Sequence, residues 1–296
     1  MIALVLAAAL AWSTAPPLPE PRTEVAAAAV RGEIAVVGGL TAGGDASARV
    51  DVYSAAQNRW RRLPDLPIAV HHALAASDGS RIYVLGGYGG PLGIGRPVRD
   101  VFVLDGGRWQ RLPRLPEPRA AGGAAVLRGR LYAVGGVAAA GLARRAFALD
   151  LRTRRWAEVP APTPRQHLAV TAAGGKIYAV AGRIGGLDTN MTTFEAWSPG
   201  ARRWTRLPPV PQARGGTGAA AVGGTIVSVG GEAPSGTVRS VYAYGVATRR
   251  WRRLPDLPTP RHGLGVAALA TRVYAIGGGP RPGLTVSDAD EYLDLA

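Results

Sequence analysis

Short apolar runs alternate with glycine- and proline-rich turns along the whole chain, and no segment carries apolar residues at helical spacing. The runs from Ile82 to Leu85 and from Ile177 to Val180 are typical, because both are β-branched or aromatic and both end in small turn residues. Segments of this kind, separated by turn signals every ~8–12 residues, indicate short antiparallel strands. The pattern therefore predicts an all-β fold.

Tryptophan marks an internal repeat. Six tryptophans recur every 47–49 residues, at positions 12, 60, 109, 156, 204 and 251, and Trp197 alone lies outside the series. A proline-rich phrase follows most of them, as in the run from Leu63 to Pro67, and its most divergent form follows Trp156. A fixed period of this length is the signature of a repeat architecture.

Glycine pairs keep the same period and end the most apolar strand of each repeat. The pairs are Gly38-Gly39, Gly86-Gly87, Gly135-Gly136, the degraded Ala181-Gly182, Gly230-Gly231 and Gly277-Gly278. Each repeat then divides into four strands: a small apolar strand a, a strand b before the glycine pair, a strand c and a strand d with the tryptophan. Because the a strands are rich in Ala and Gly, we expect them to crowd around a central axis.

The glycine pair, the apolar strand c, the tryptophan and the Leu-Pro phrase together resemble the Kelch repeat, of the bacterial exported type. The resemblance covers positions 12–296 and implies a six-bladed β-propeller with one four-stranded blade per repeat. The last repeat lacks a tryptophan strand, whereas Trp12 has no strands a to c before it. The strand at Trp12 is therefore predicted to complete the sixth blade, which removes two open sheet edges and closes the ring. The tryptophans are predicted to be buried between neighbouring blades.

The composition excludes several kinds of functional site and partner. The chain has no cysteine, which excludes disulfides, thiolate catalysis and cysteine-ligated zinc, and also the cysteine-derived cofactor of Kelch-type copper-radical oxidases. The formal charge is +15, with Lys176 as the only lysine, and many arginines flank the tryptophans as a basic rim rather than a groove. Because buried tryptophans cannot stack on bases, we expect no specific nucleic-acid binding. No apolar run reaches the ~20 residues of a membrane span.

Residues 1–11 form an apolar stretch that ends in Ala9-Leu10-Ala11, the pattern of a signal-peptide cleavage site without the usual basic start. We therefore expect an exported protein in which residues 12–296 form one propeller, and we expect this propeller to be a monomer.

Strand directions predict that the b–c loops and the d–a connections emerge on one face, where variable loops on a repeated scaffold tend to carry function. The candidate ligand-binding residues at this mouth are Arg22, Arg119, Arg165, Arg214, Arg261, His71, His72, His167, His262, Asn190 and Glu232. Convergent guanidinium groups suit carboxylate or phosphate ligands, but arginines here could equally bond neighbouring backbone and carboxylates. Because the histidines belong to alternate blades, they suggest a three-histidine metal site on the axis. Such a site is disfavoured because the histidines are staggered by one residue between repeats, and because separate blades seldom converge closely enough for their side chains to ligate one ion. We expect no metal and no cofactor.

The carboxylates form no evident acid–base pair, and Asp51, Glu195 and Glu291 occupy equivalent positions of strand c. We therefore predict a non-catalytic propeller that binds a protein or an anionic glycan through the loop face. The alternative is a carbohydrate-active enzyme of the epimerase or mutarotase kind at the same mouth, since exported six-bladed Kelch propellers include N-acetylneuraminate epimerases.

Overall fold

Each repeat folds as a four-stranded antiparallel sheet, with its strands in the order a-b-c-d. The computed structural model describes residues 10–93 and 95–296, and within these ranges six such sheets form the blades of a propeller. Blades 1 to 3 consist of Ala26–Val30, Glu33–Val37, Val50–Ser54 and Arg59–Arg62; Leu74–Ser77, Ile82–Leu85, Val101–Asp105 and Arg108–Arg111; and Gly123–Leu127, Arg130–Val134, Ala146–Asp150 and Arg155–Val159. Blades 4 to 6 consist of Ala169–Ala173, Lys176–Val180, Phe194–Trp197 and Thr205–Arg206; Gly218–Val222, Thr225–Val229, Val241–Gly245 and Arg250–Leu254; and Gly265–Leu269, Arg272–Ile276, Asp290–Asp294 and Trp12–Thr14.

Smaller elements occur only in the b–c loops of the described chain. Three two-stranded hairpins pair Tyr88–Gly89 with Arg96–Pro97, Val137–Ala138 with Gly141–Leu142, and Glu232–Ala233 with Gly236–Thr237. In the described ranges the helical segment is the short 3₁₀ turn Leu187–Thr189. Residues 10–93 and 95–296 contain no helix that is long and apolar enough to cross a membrane.

The a strands surround the axis, as their small side chains predict. Each a strand contacts the a strands of both neighbouring blades, so the contacts run around a closed ring. They leave a channel of about 290 Å³ lined largely by alanine. The hydrophobic core lies between adjacent blades, where for example Leu85 and Val103 of blade 2 share one cluster with Leu131 and Leu149 of blade 3.

The ring closes where the sequence predicts. Trp12–Thr14 pairs antiparallel with Asp290–Asp294, with Trp12 opposite Leu293, and so supplies strand d of blade 6. The backbone nitrogens of Ala15 and Leu18 continue this pairing by donating to the carbonyls of Asp290 and Asp288. The predicted signal sequence of residues 1–11 lies outside the described residues except for Leu10 and Ala11, and it stays a prediction.

The repeat tryptophans join neighbouring blades through a hydrogen bond. Each indole Nε1 donates to a proline carbonyl that follows strand d of the preceding blade, at 2.8–2.9 Å. The pairs are Trp12 with Pro255, Trp60 with Pro16, Trp109 with Pro64, Trp156 with Pro113, Trp204 with Pro160 and Trp251 with Pro208. The six are half-buried rather than buried, because one side of the outermost strand faces solvent. The fully buried tryptophan is Trp197, at 4% exposure.

In blade 2 the first glycine of the pair is required by a close approach between blades. Gly86 has φ +61°, and a Cβ at this position would lie 2.0 Å from the backbone oxygen of Arg119 in the next d–a connection. No side chain fits at that distance. In blade 4 the equivalent Ala181 keeps the same left-handed conformation, with φ +52°, so the degraded pair preserves the turn.

Candidate functional site

One mouth of the propeller axis opens into a cavity of about 430 Å³. Its walls come from the d–a connections, which include Glu24, His72 and His167, and from the b–c loops, which include Arg183 and Glu232. The two kinds of segment are held side by side by isolated β-bridges, for example between His71 and Tyr88. Five of the six repeats, all except that of blade 3, thereby place residues around one concave site.

The five candidate arginines lie inside the blades, which corrects the expectation that they line this mouth. Their relative exposure is 0%. Each guanidinium donates a hydrogen bond of 2.6–3.2 Å to the carbonyl 16 residues later, which belongs to the first residue of the glycine pair. The pairs are Arg22 with Gly38, Arg119 with Gly135, Arg165 with Ala181, Arg214 with Gly230 and Arg261 with Gly277. These residues pin the d–a connection to the end of strand b.

Each of the five guanidinium groups also lies against the second residue of strand c in its own blade. Arg22, Arg165 and Arg261 form ion pairs of 2.5–2.7 Å with the carboxylates that sequence analysis found at equivalent positions, Asp51, Glu195 and Glu291. In blades 3 and 5 that position is aromatic, and Arg119 and Arg214 lie 5.6 and 5.3 Å from the ring centroids of Phe147 and Tyr242. Blade 2 has Val70 in place of the arginine and Phe102 on strand c.

Arg214 of blade 5 is buried without a close carboxylate, and this lowers its pKa. Burial lowers the pKa of Arg214 to about 10, and its hydrogen-bond partners are the oxygens of Ser240, Gln212 and Gly230. Burial likewise lowers the pKa of Arg119 to about 10, and Glu117 at 3.5 Å opposes this effect only in part. These guanidinium groups stabilise the blades and leave no donor facing the cavity.

The histidines, in contrast, converge at the cavity floor. Nε2 of His72 lies 3.1 Å from Nε2 of His167, although the two residues belong to blades 2 and 4. Nδ1 of His71 lies 2.6 Å from Nδ1 of His72. His262 of blade 6 reaches the same floor and lies beside Glu24. The expectation that separate blades keep the histidines apart is therefore wrong, because the d–a connections turn inward and bring His72 and His167 to the axis.

Glu232 and Asn190 form the opposite wall with a residue that sequence analysis did not single out. Nη1 of Arg183 lies 2.6 Å from Oε1 of Glu232, and Nδ2 of Asn190 donates to the backbone oxygen of Glu232 at 2.6 Å. Oε2 of Glu232 lies 3.6 Å from Nδ1 of His262. Asn190 thus orients the wall, while Glu232 and Arg183 face the cavity.

Burial and pairing set the charge of the floor. Burial lowers the pKa of His71 to about 4, and burial together with the neighbouring His72 lowers the pKa of His167 well below its usual value. Burial also lowers the pKa of His262, but Glu24 and Glu232 outweigh it and the net direction is upward. Burial raises the pKa of Glu24, but the adjacent histidines outweigh it and hold that pKa well below its usual range.

Glu24 occupies a central position on the floor, although it is not among the residues predicted from the sequence. It follows Arg22 by two residues, as His167 follows Arg165 and as His72 follows Val70. Aligning the six d–a connections residue by residue would have placed Glu24, His72 and His167 at one repeat position. The expected separation of the histidines hid this coincidence.

Apolar side chains surround the polar floor. Among the described residues, the large hydrophobic side chains that are exposed are Leu92, Ile184 and Leu284, at 44%, 53% and 39%. All three belong to b–c loops of this face, and Leu92 and Leu284 line the cavity itself. Exposed apolar groups gathered at one concave site are characteristic of a binding surface.

Comparison with known proteins identifies the repeat. Residues 26–210 match the model of the KLHDC2/KLHL20/DRC7 Kelch-repeats domain, and residues 213–258 match the model of the Kelch motif. The chain is 30% identical over 225 residues to Kelch-like protein 34 of Homo sapiens, which covers 75% of this chain and 27% of that protein. It is also 30% identical over 254 residues to Kelch-like protein terF of Aspergillus terreus, which covers 78% of this chain and 55% of that protein. The chain thus spans about a quarter and about half of these two relatives, and it belongs to the Kelch-repeat family.

Proposed function

We propose that this propeller is a binding module that recognises a segment of a protein partner at the mouth formed by the b–c loops and d–a connections. The observation that carries the proposal is the concentration of exposed apolar side chains on this face, around a cavity with a polar floor. An interface needs a desolvated apolar contact next to a few hydrogen-bonding groups that fix its register. Leu92 and Leu284 supply the first, and Glu232, Arg183 and His262 supply the second.

A carboxylated glycan is the weaker alternative. The arginines that suggested it are buried in the blades. Arg183, the arginine that lines the cavity in the described chain, is already paired with Glu232 at 2.6 Å. An anionic ligand would have to compete with that carboxylate, and the same holds for the substrate of an epimerase.

Export of the protein stays part of the proposal and is tested by fractionation of cells that produce the full chain.

The test starts from a peptide library displayed on phage and selected against the wild-type chain. The peptide so obtained is then titrated against wild type and against the double variant Leu92→Ser/Leu284→Ser. Removing a buried leucine contact costs ~1.5–3 kcal/mol, so the affinity should fall more than ~10-fold. The matched control is Arg203→Ser, an exposed change on the c–d turn of blade 4, on the opposite face, which should leave the affinity unchanged.

Two results would overturn the proposal. One is a set of peptides that bind wild type and the double variant equally. The other is binding or chemical conversion of an acidic sugar, titrated in parallel, in a wild-type chain that selects no peptide. The second result would favour the carbohydrate-active alternative.

A further inference from the structure

A closed ring of backbone hydrogen bonds surrounds the axis just below the cavity. In each blade the residue that follows the isolated β-bridge of the d–a connection adopts a left-handed conformation, with φ between +52° and +64°. In blades 2 to 6 the nitrogen at this position donates to the carbonyl of the equivalent residue in the preceding blade, for example His167 to Ala121 at 2.7 Å. In blade 1 the next residue closes the ring, because the nitrogen of Val25 donates to the carbonyl of Gly263 at 3.2 Å. The six residues, from blade 1 to blade 6, are Glu24, His72, Ala121, His167, Gly216 and Gly263.

Glycine is the residue that suits this ring, because the left-handed conformation costs a side chain ~1–2 kcal/mol. Blades 5 and 6 use glycine, and blade 3 uses the smallest alternative. Blades 1, 2 and 4 instead place a glutamate and two histidines there. Strained residues that bear titratable or ligating groups tend to gather at functional sites. The presence of these three side chains at left-handed positions therefore needs a separate physical reason.

Their ligand atoms lie at the separations of a metal coordination polyhedron. Nε2 of His72 is 3.1 Å from Nε2 of His167 and 3.1 Å from Oε2 of Glu24. One ligand atom of each residue lies within 4.8 Å of the others. Metal–ligand bonds of about 2.0–2.2 Å place neighbouring ligand atoms ~3.0–3.4 Å apart in octahedral and tetrahedral sites. Little rearrangement is needed for the three atoms to face one ion.

A polar side chain lies beside the outer atom of each of the three groups, which is where the outer partners of metal ligands lie. Nδ1 of His167 lies 3.1 Å from Oε1 of Gln166, which accepts a hydrogen bond, so its Nε2 presents a lone pair to the cluster. Nδ1 of His72 faces Nδ1 of His71. The second carboxylate oxygen of Glu24 lies 3.2 Å from Nδ1 of His262, a buried atom with no hydrogen bond in the described chain.

We propose that Glu24, His72 and His167 bind a divalent first-row transition-metal ion at the floor of the cavity. Two imidazole nitrogens and one carboxylate favour ions such as Zn²⁺, Co²⁺ or Fe²⁺ over Mg²⁺ and Ca²⁺, which take oxygen ligands. Three protein ligands leave positions of the ion free, and the three residues also line the open cavity, which provides a path of entry. The proposal is independent of the protein-binding function, because it concerns an ion and not the partner.

Titration of Zn²⁺ and Co²⁺ into chelator-treated protein without a polyhistidine tag tests the site. Wild type should bind one equivalent, and the visible absorption of Co²⁺ should report nitrogen and oxygen ligands. His167→Ala and Glu24→Gln should each weaken binding by at least ~100-fold, more than the loss of an outer partner alone causes. Glu158→Gln, an exposed carboxylate paired with Arg145 outside the cavity, is the matched control and should bind as wild type does.

His167→Gly separates binding from folding. Glycine occupies the equivalent position in blade 5, so this variant should unfold at the same temperature as wild type or a higher one while losing the metal. No binding of either ion below ~1 mM by folded wild type would overturn the proposal. Binding that survives in His167→Gly and Glu24→Gln would overturn it as well.

Discussion

Asp290 carries a buried carboxyl group that has no hydrogen-bond partner among the described residues, and its replacement by valine should stabilise the protein. It is the first residue of strand c in blade 6 and has 0% exposure. Neither carboxylate oxygen has a hydrogen-bond partner among the described residues. The equivalent residues of blades 1 to 5 are all apolar and buried: Val50, Val101, Ala146, Phe194 and Val241. Asp290→Val therefore restores what the other five blades already have.

The magnitude follows from the unpaired group and from its pKa. An unsatisfied buried polar group costs ~1–3 kcal/mol. Burial raises the pKa of Asp290 to about 8, so the folded chain keeps a proton that the unfolded chain, with a pKa near 3.9, has released. The contribution of Asp290 to the free energy of unfolding is therefore fully present below pH ~4 and is lost as the pH rises toward 8. Asp290→Val should gain at least ~2 kcal/mol at pH 7, and this gain should grow by up to ~1.4 kcal/mol per pH unit between pH 5 and 7.

Urea unfolding of wild type and variant at pH 5, 6 and 7 measures both quantities, provided that the slope with denaturant stays constant. Val50→Asp is the matched reverse change in blade 1 and should destabilise with the same pH trend. A variant no more stable than wild type at pH 7 would refute the reasoning. So would a gain that is the same at all three pH values, because it would show that Asp290 does not titrate late in the folded state.

The remaining predictions concern the closure of the propeller at Trp12, the arginine ion pairs inside the blades, the cavity wall and the buried histidines. Trp12→Ala should lower the free energy of unfolding by ~3 kcal/mol, because it removes the bond to Pro255 and apolar area at the final join; an unchanged melting temperature with monomeric elution would contradict this. Arg165→Met should cost ~3–5 kcal/mol in urea unfolding, because Glu195 is left buried and unpaired, yet it should not change the affinity for a peptide selected at the mouth. Arg183→Met, which changes a cavity wall, should show the opposite profile. Because burial lowers the pKa of His71 to about 4, stability should fall by up to ~3 kcal/mol as the pH drops from 6.5 to 4, and His71→Gln should flatten that slope.

Much of the fold follows from local and periodic properties of the sequence. The alternation of apolar runs and turns predicts the strands, and their period predicts the number of blades. The phase of the tryptophans even predicts that Trp12–Thr14 joins Asp290–Asp294. These features can be predicted from the sequence because neighbouring repeats form equivalent contacts, so one repeat is a template for the next. The half-burial of the tryptophans could not be predicted, since it depends on how far the outer strand curves into solvent.

Only the tertiary structure decided which polar residues face the cavity. The arginines and the cavity-facing residues lie within two residues of one another along the d–a connections, as Arg165 and His167 do in blade 4, and the sequence could not separate them. In the folded chain Arg165 turns into its own blade toward Glu195, whereas His167 turns toward the axis and meets His72 of another blade. The physical reason is that a left-handed backbone at His167 redirects its side chain, and that the ring brings residues 95 positions apart to within 3.1 Å. A repeat pattern fixes contacts within and between adjacent blades, but contacts across the axis depend on how closely all six blades converge.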